Sequence, residues 1–154
     1  MHLERRRALI AAAWVFASSA LADPSAPSVR VDAAWIRWLP AGVPAGGYAT
    51  LTNFGDKPEV LTAAMSPAFK TVSIHRNVRR GTVVQMEPVD EILINPHSTL
   101  DFESAGYHFM LFDARESLEH TTVVDVTLHF KGGGSISAPF RIRKPGVSAS
   151  GETP

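Results

Sequence analysis

Ten short runs of β-branched, aromatic and aliphatic residues, each closed off by Gly, Pro, Asn or Asp, occupy nearly all of the chain after Ser25. They are Val29–Trp38, Tyr48–Asn53, Glu59–Met65, Thr71–Val78, Thr82–Glu87, Glu91–Ile94, Thr99–Phe102, Tyr107–Asp113, Thr121–Phe130 and Ser135–Arg143. None carries the 3.6-residue spacing of an amphipathic helix, so the apolar side chains have to be buried by stacking strands. Val124, Val126, Leu128 and Phe130 alternate with Asp125, Thr127 and His129, which predicts one buried and one wet face for that strand. Arg79–Arg80–Gly81 reads as the turn of a hairpin, with Gly81 free to take positive φ, and Lys131–Gly134 as the last hairpin.

The ends differ from this body. The chain opens MHLERRRALIAAAWVFASSALADP: three arginines, an apolar run from Ala8 to Ala17, and the small-residue ending Ala20–Leu21–Ala22. That is the layout of a secretory signal peptide, and the apolar run falls short of the ~20 residues of a spanning helix. Residues 1–22 are therefore expected to be cleaved, 23–28 to form a linker, 29–143 a single domain and 144–154 a small, polar, disordered tail. The expected fold is all-β, a sandwich or barrel of cupredoxin-like or Ig-like Greek-key type. Cleavage takes away three arginines and one glutamate, moving the net charge from zero to −2, so nothing argues for nucleic acid or an anionic membrane surface. There is no cysteine. An exported chain without one has no disulfide to hold it, and no thiolate for catalysis or blue-copper electron transfer.

Chemistry concentrates in four residues: His75, Met86, His108 and Met110. Imidazole and thioether are neutral, soft-to-borderline donors that suit Cu(I); a set without carboxylates is poorly matched to magnesium, calcium or manganese. Taken singly, each methionine reads as a core filler and each histidine as a structural residue. Strand geometry supports a joint reading. His108 and Met110 share one face of their strand while Phe109 and Leu111 take the other, and His75 shares the face of Thr71 and Ser73, opposite Val72 and Ile74. Of the remaining candidates, His97, His120 and His129 read as surface residues, Met65 as packing and Trp35 as core, with Trp38 open between core and a shield for the metal.

The spacing His-x10-Met-x21-His-x-Met resembles that of the periplasmic Cu(A) chaperone family, PCu(A)C. With six His and four Met in 154 residues, a fixed four-position pattern of this kind arises by chance on the order of 10^-4 times per chain. The resemblance runs from about Val29 to Arg143 and includes Ala34–Arg37, Gly47–Asn53, Met86–Val89 and Gly106–Leu111. It departs at Ser73, where many relatives carry an acidic residue, and at Val84 and Phe112, where some carry further methionines. The resemblance implies a non-enzymatic periplasmic carrier that binds one Cu(I) through His75, Met86, His108 and Met110. Its expected acceptor is the binuclear copper centre in subunit II of cytochrome c oxidase, and a thioredoxin-like copper chaperone is an expected companion. The alternatives are general periplasmic copper buffering or scavenging, and a β-sandwich that binds a non-metal ligand. No nucleophile–base arrangement points to an enzyme.

Overall fold

A computed structural model describes residues 26–39 and 42–144 of the protein. The expected signal peptide, the start of the linker and nearly all of the tail lie outside the described residues. Ten strands follow one another: β1 (Val29–Arg37), β2 (Ala45–Asn53), β3 (Glu59–Met65), β4 (Phe69–Arg80), β5 (Val83–Pro88), β6 (Ile92–Ile94), β7 (Ser98–Phe102), β8 (Tyr107–Ala114), β9 (Val123–Phe130) and β10 (Ser135–Arg143). Among the described residues there is no helix, and so none that could cross a membrane.

The strands form one hydrogen-bonded sheet in the order β5-β4-β8-β7-β2-β1-β10-β9-β3-β6. It doubles back on itself: β3 lies against β4, and β6 against β7, although neither pair is hydrogen-bonded. The result is an all-β sandwich whose halves are joined by the parallel pair β1–β10. Ile36, Leu51, Leu61, Leu111, Val126, Leu128 and Phe140 fill the space between the halves. Phe109 stacks on Phe102 at 4.4 Å between centroids and meets Phe140 edge-on at 5.9 Å, arrangements that aromatic rings favour. The alternation expected of β9 is present, with Val124, Val126, Leu128 and Phe130 all buried.

Three local expectations are corrected. β2 starts at Ala45 and runs through Gly46 and Gly47, where the sequence suggests a break. A Cβ at Gly46 would meet Tyr48 Oη at 2.7 Å, and one at Gly47 would meet Leu111 and Phe109 at 3.1 Å, so the glycines make room for neighbours packed over the strand. Met65 is 60% exposed at the end of β3 and packs little. Trp35 is half-buried outside the core: it rests on Tyr48 at 4.5 Å and under the Arg143 guanidinium at 4.4 Å, while Trp38 is the one packed against the core.

Candidate metal centre

The metal-ligand candidates converge on β5, β4 and β8, three neighbouring strands at one edge of the sheet. Residues directly opposite on paired strands project to the same face. His75 on β4 stands opposite His108 on β8, and Ser73 stands opposite Met110, so both histidines and Met110 share a face in adjacent rows. Behind them, Ile74 pairs with Phe109 and Val72 with Leu111 on the core face. The platform is thus pinned from beneath by some of the most buried side chains of the protein.

Met86 reaches the same face because of the hairpin turn. A loop of Arg79–Arg80–Gly81, as the sequence suggests, would set Val78 opposite Thr82 and Met86 opposite Ile74, on the core face. Instead, β4 continues to Arg80 and the loop is Gly81–Thr82, with Arg80 opposite Val83 and Met86 opposite Asn77. Gly81 has φ +65 and Thr82 does not enter the positive-φ region, the pattern of a type II′ hairpin. A slip of one residue would have turned Met86 away. The structure therefore joins His75, His108 and Met110 closely. It leaves Met86 one strand out from His75 and one row along, with its side chain 50% exposed. His75 itself faces Pro88 on β5.

The two imidazoles are enclosed: His108 is 4% exposed and His75 half-buried, with ring centroids 6.1 Å apart and 30° between planes. Each ring has one nitrogen engaged. His108 Nδ1 donates to the Gly106 carbonyl at 3.1 Å, and His75 Nε2 is 2.9 Å from Ser73 Oγ. Each also has one nitrogen that is buried and without any hydrogen-bond partner: Nε2 of His108 and Nδ1 of His75. A carbonyl oxygen only accepts, so His108 in its neutral form carries its proton on Nδ1 and exposes a lone pair at Nε2. Burial first, and then the charge of His108, hold the His75 imidazole below its ordinary pKa of 6.5, which keeps it neutral and able to ligate. A buried lone pair without a donor costs free energy unless a partner arrives. A cation that accepts both lone pairs meets that need.

Among the described residues, no three His, Cys, Asp or Glu side chains cluster to hold a metal. The soft donors placed on the same face, among the described residues, are the two methionines, a set that would favour Cu(I) over harder ions. Around the hairpin, Glu87 accepts from Arg80 at 2.9 Å and Arg76 at 3.4 Å, and these contacts, Arg80's first, hold its carboxyl below the usual range. Those three lie on the face opposite Met86.

The other histidines lie elsewhere. His97, at φ +51 in its turn, pairs with Asp56 at 2.9 Å; His120 is exposed and His129 half-buried. Sequence reasoning set Ser73 on the face of His75 without giving it a role there, and overlooked the Gly106 carbonyl. The signal for Ser73 was present, because residues two apart on a strand share a face.

A family model described as "Putative lipoprotein LpqE-like" matches residues 29–142. Among solved structures, the fold is similar to the apo PCuAC domain of PmoF1, with 25% identity, a TM-score of 0.64, and coverage of 78% of this chain and 97% of that one. It is similar also to the copper-bound PCuAC domain of PmoF2 (21% identity, TM-score 0.64, 78% and 96% covered) and to Cu(I)-bound DR1885 of Deinococcus radiodurans (24%, 0.60, 83% and 84%). These last two likenesses bear on the fold alone. No curated protein matches the chain. With the family match spanning almost every described strand, the chain belongs to the LpqE-like family, within the PCu(A)C group of copper chaperones.

Proposed function

We propose that the protein is a periplasmic carrier of one Cu(I), held by His75 Nδ1, His108 Nε2 and the thioethers of Met86 and Met110. It would deliver the ion to the binuclear copper centre in subunit II of cytochrome c oxidase. The observation that carries this reading is the pair of buried imidazole nitrogens, on cross-strand neighbouring rings, with no partner in the protein. Export rests on the signal-like N-terminus, and a thioredoxin-like copper chaperone is the companion suggested by the family. All four donors are neutral and none can form a disulfide, so the set suits an oxidising compartment, with methionine sulfoxide as its weak point.

The uneven exposure favours delivery over storage. Met86, on the outermost strand, is open to solvent while His108 is enclosed. An incoming ligand from an acceptor can take the place of Met86 while the histidines still hold the ion. The ion is then shared before it is released. The test is Cu(I) transfer followed by NMR, from the loaded protein to the apo copper domain of subunit II, with X-ray absorption of the donor beforehand. One Cu(I) per chain with mixed nitrogen and sulfur scattering, followed by transfer, is expected. A shell of nitrogen and oxygen alone would remove Met86 and Met110 from the site, and absence of transfer would remove the acceptor.

A further inference from the structure

The two histidines of the site are oriented by different means. For His108 the orienting group is a backbone carbonyl, which settles its tautomer unaided. For His75 it is the Ser73 hydroxyl, which can either donate or accept. Two arrangements are possible. If the hydroxyl donates to Nε2, the ring proton sits on Nδ1, where it is buried with nothing to bond and blocks the atom that faces the site. If Nε2–H donates to Oγ, Nδ1 keeps its lone pair and the hydroxyl hydrogen is free to turn elsewhere. The second arrangement avoids stranding a buried donor and leaves matching lone pairs on the two rings.

We infer that Ser73 is a positioning residue of the copper site: its Oγ accepts from His75 Nε2–H and so presents Nδ1 as the ligating nitrogen. The assignment deepens the copper reading above and rests on it for its purpose. His75 then ligates through Nδ1 and His108 through Nε2, a mixed pair that two facing strands impose. On antiparallel neighbours the partner of each ring lies two residues toward its own N-terminus, Ser73 for His75 and Gly106 for His108. These partners sit at opposite ends of the pair. Ser73 is also the residue directly across from Met110, so its side chain stands beside two of the four donors at once. A hydroxyl here holds the ring by a neutral hydrogen bond, and adds no charge to a site whose donors carry none.

The experiment is long-range proton–nitrogen NMR of the imidazole rings in the copper-free full chain at pH 7.5, together with Cu(I) affinity by chelator competition. His75 should appear as the Nε2–H tautomer and His108 as Nδ1–H. Ser73→Ala should mix the His75 tautomers, leave those of His108 alone, and weaken Cu(I) binding about tenfold, the lower end for loss of a ligand's supporting partner. Ser73→Thr keeps the Oγ and should restore both readouts. A wild-type His75 with its proton on Nδ1 would overturn the assignment, whatever the variants do. So would a folded Ser73→Ala protein with unchanged tautomers and affinity. The expected tautomers in a protein that binds no Cu(I) would uphold the orientation of His75 and overturn the copper reading instead.

Discussion

The ladder between β4 and β8 and the hairpin between β4 and β5 contribute to the same site and are built to opposite standards. On the ladder, the histidine row and the Ser73–Met110 row are backed by Ile74 with Phe109 and by half-buried Val72 with Leu111, and His108 is almost wholly enclosed. On the hairpin, Val83, Val84 and Met86 are all about half exposed, and β5 has a neighbour on one side only. The difference would divide the work of the proposed carrier. Enclosed, pre-oriented ligands hold an ion because little has to be ordered when it arrives, whereas an exposed ligand on a sheet edge can be exchanged. On the proposed reading, retention belongs to the ladder and exchange to the hairpin.

That division can be broken at several levels. Phe109→Ala removes the ring that backs the histidine row, stacks on Phe102 and meets Phe140. It should cost about 3–5 kcal/mol in urea unfolding, whereas Val84→Ala on the hairpin should stay within about 0.5 kcal/mol. Comparable losses at the two positions would erase the contrast. Next in size, His108→Ala should lower Cu(I) affinity by more than about 100-fold, since losing only a ligand's supporting partner typically costs 10–100-fold. Equilibrium competition with a Cu(I) chelator reads this directly.

The methionines sharpen the comparison. Met86→Ala and Met110→Ala should each weaken Cu(I) binding by roughly tenfold or more, as expected on removing a donor from a four-donor set. Met65→Ala, which alters a solvent-exposed side chain, should leave binding unchanged. Stopped-flow transfer should separate the two ligands further: Met86→Ala should alter the rate of hand-off, and Met110→Ala chiefly the amount of copper retained. Equal effects of Met65→Ala and Met86→Ala on affinity, at equal stability, would remove Met86 from the set.

The smallest expected effect is on the copper-free protein. Burial, and then His108, hold the His75 pKa below 6.5 in the fold, so between the native value and 6.5 the unfolded chain binds protons that the native chain does not. Stability should be flat above about pH 6.5 and fall as the pH drops through the window below it. Thermal unfolding at a series of pH values checks this, and His75→Ala should flatten that part of the profile. A wild-type protein that gains stability on acidification through the same window would contradict the direction.

Most of the fold was legible because strand alternation and turn residues are local properties. All ten runs became strands, two of them with the expected bounds, Glu59–Met65 and Ser135–Arg143. What escaped depends on neighbours that sequence does not display. Gly46 and Gly47 look like a break until Tyr48, Phe109 and Leu111 are seen occupying the space a Cβ would need. Trp35 looks like core until Tyr48 and Arg143 enclose it on the outside. The faces of His75, His108 and Met110 were readable from period-two alternation alone. The face of Met86 was not, because it hangs on whether the hairpin loop has two residues or three, and Arg79–Arg80–Gly81 permits either. Spacing and ligand chemistry singled out Met86 without placing it.

The pairing of His75 with His108 has a consequence for when the protein can act. These strands are joined in sequence through β5, β6 and β7, so their ladder is a long-range contact that cannot form until the chain between them has folded back. A chain still extended presents four separated, weak donors, and gathering them means closing long loops. On the proposed copper reading, the ion would therefore distinguish the finished molecule from the nascent one. An ion that binds the native state and not the extended one also protects what it binds: the loaded protein should melt later and resist proteolysis longer, by an amount that rises with free copper. On that reading, maturation comes before loading.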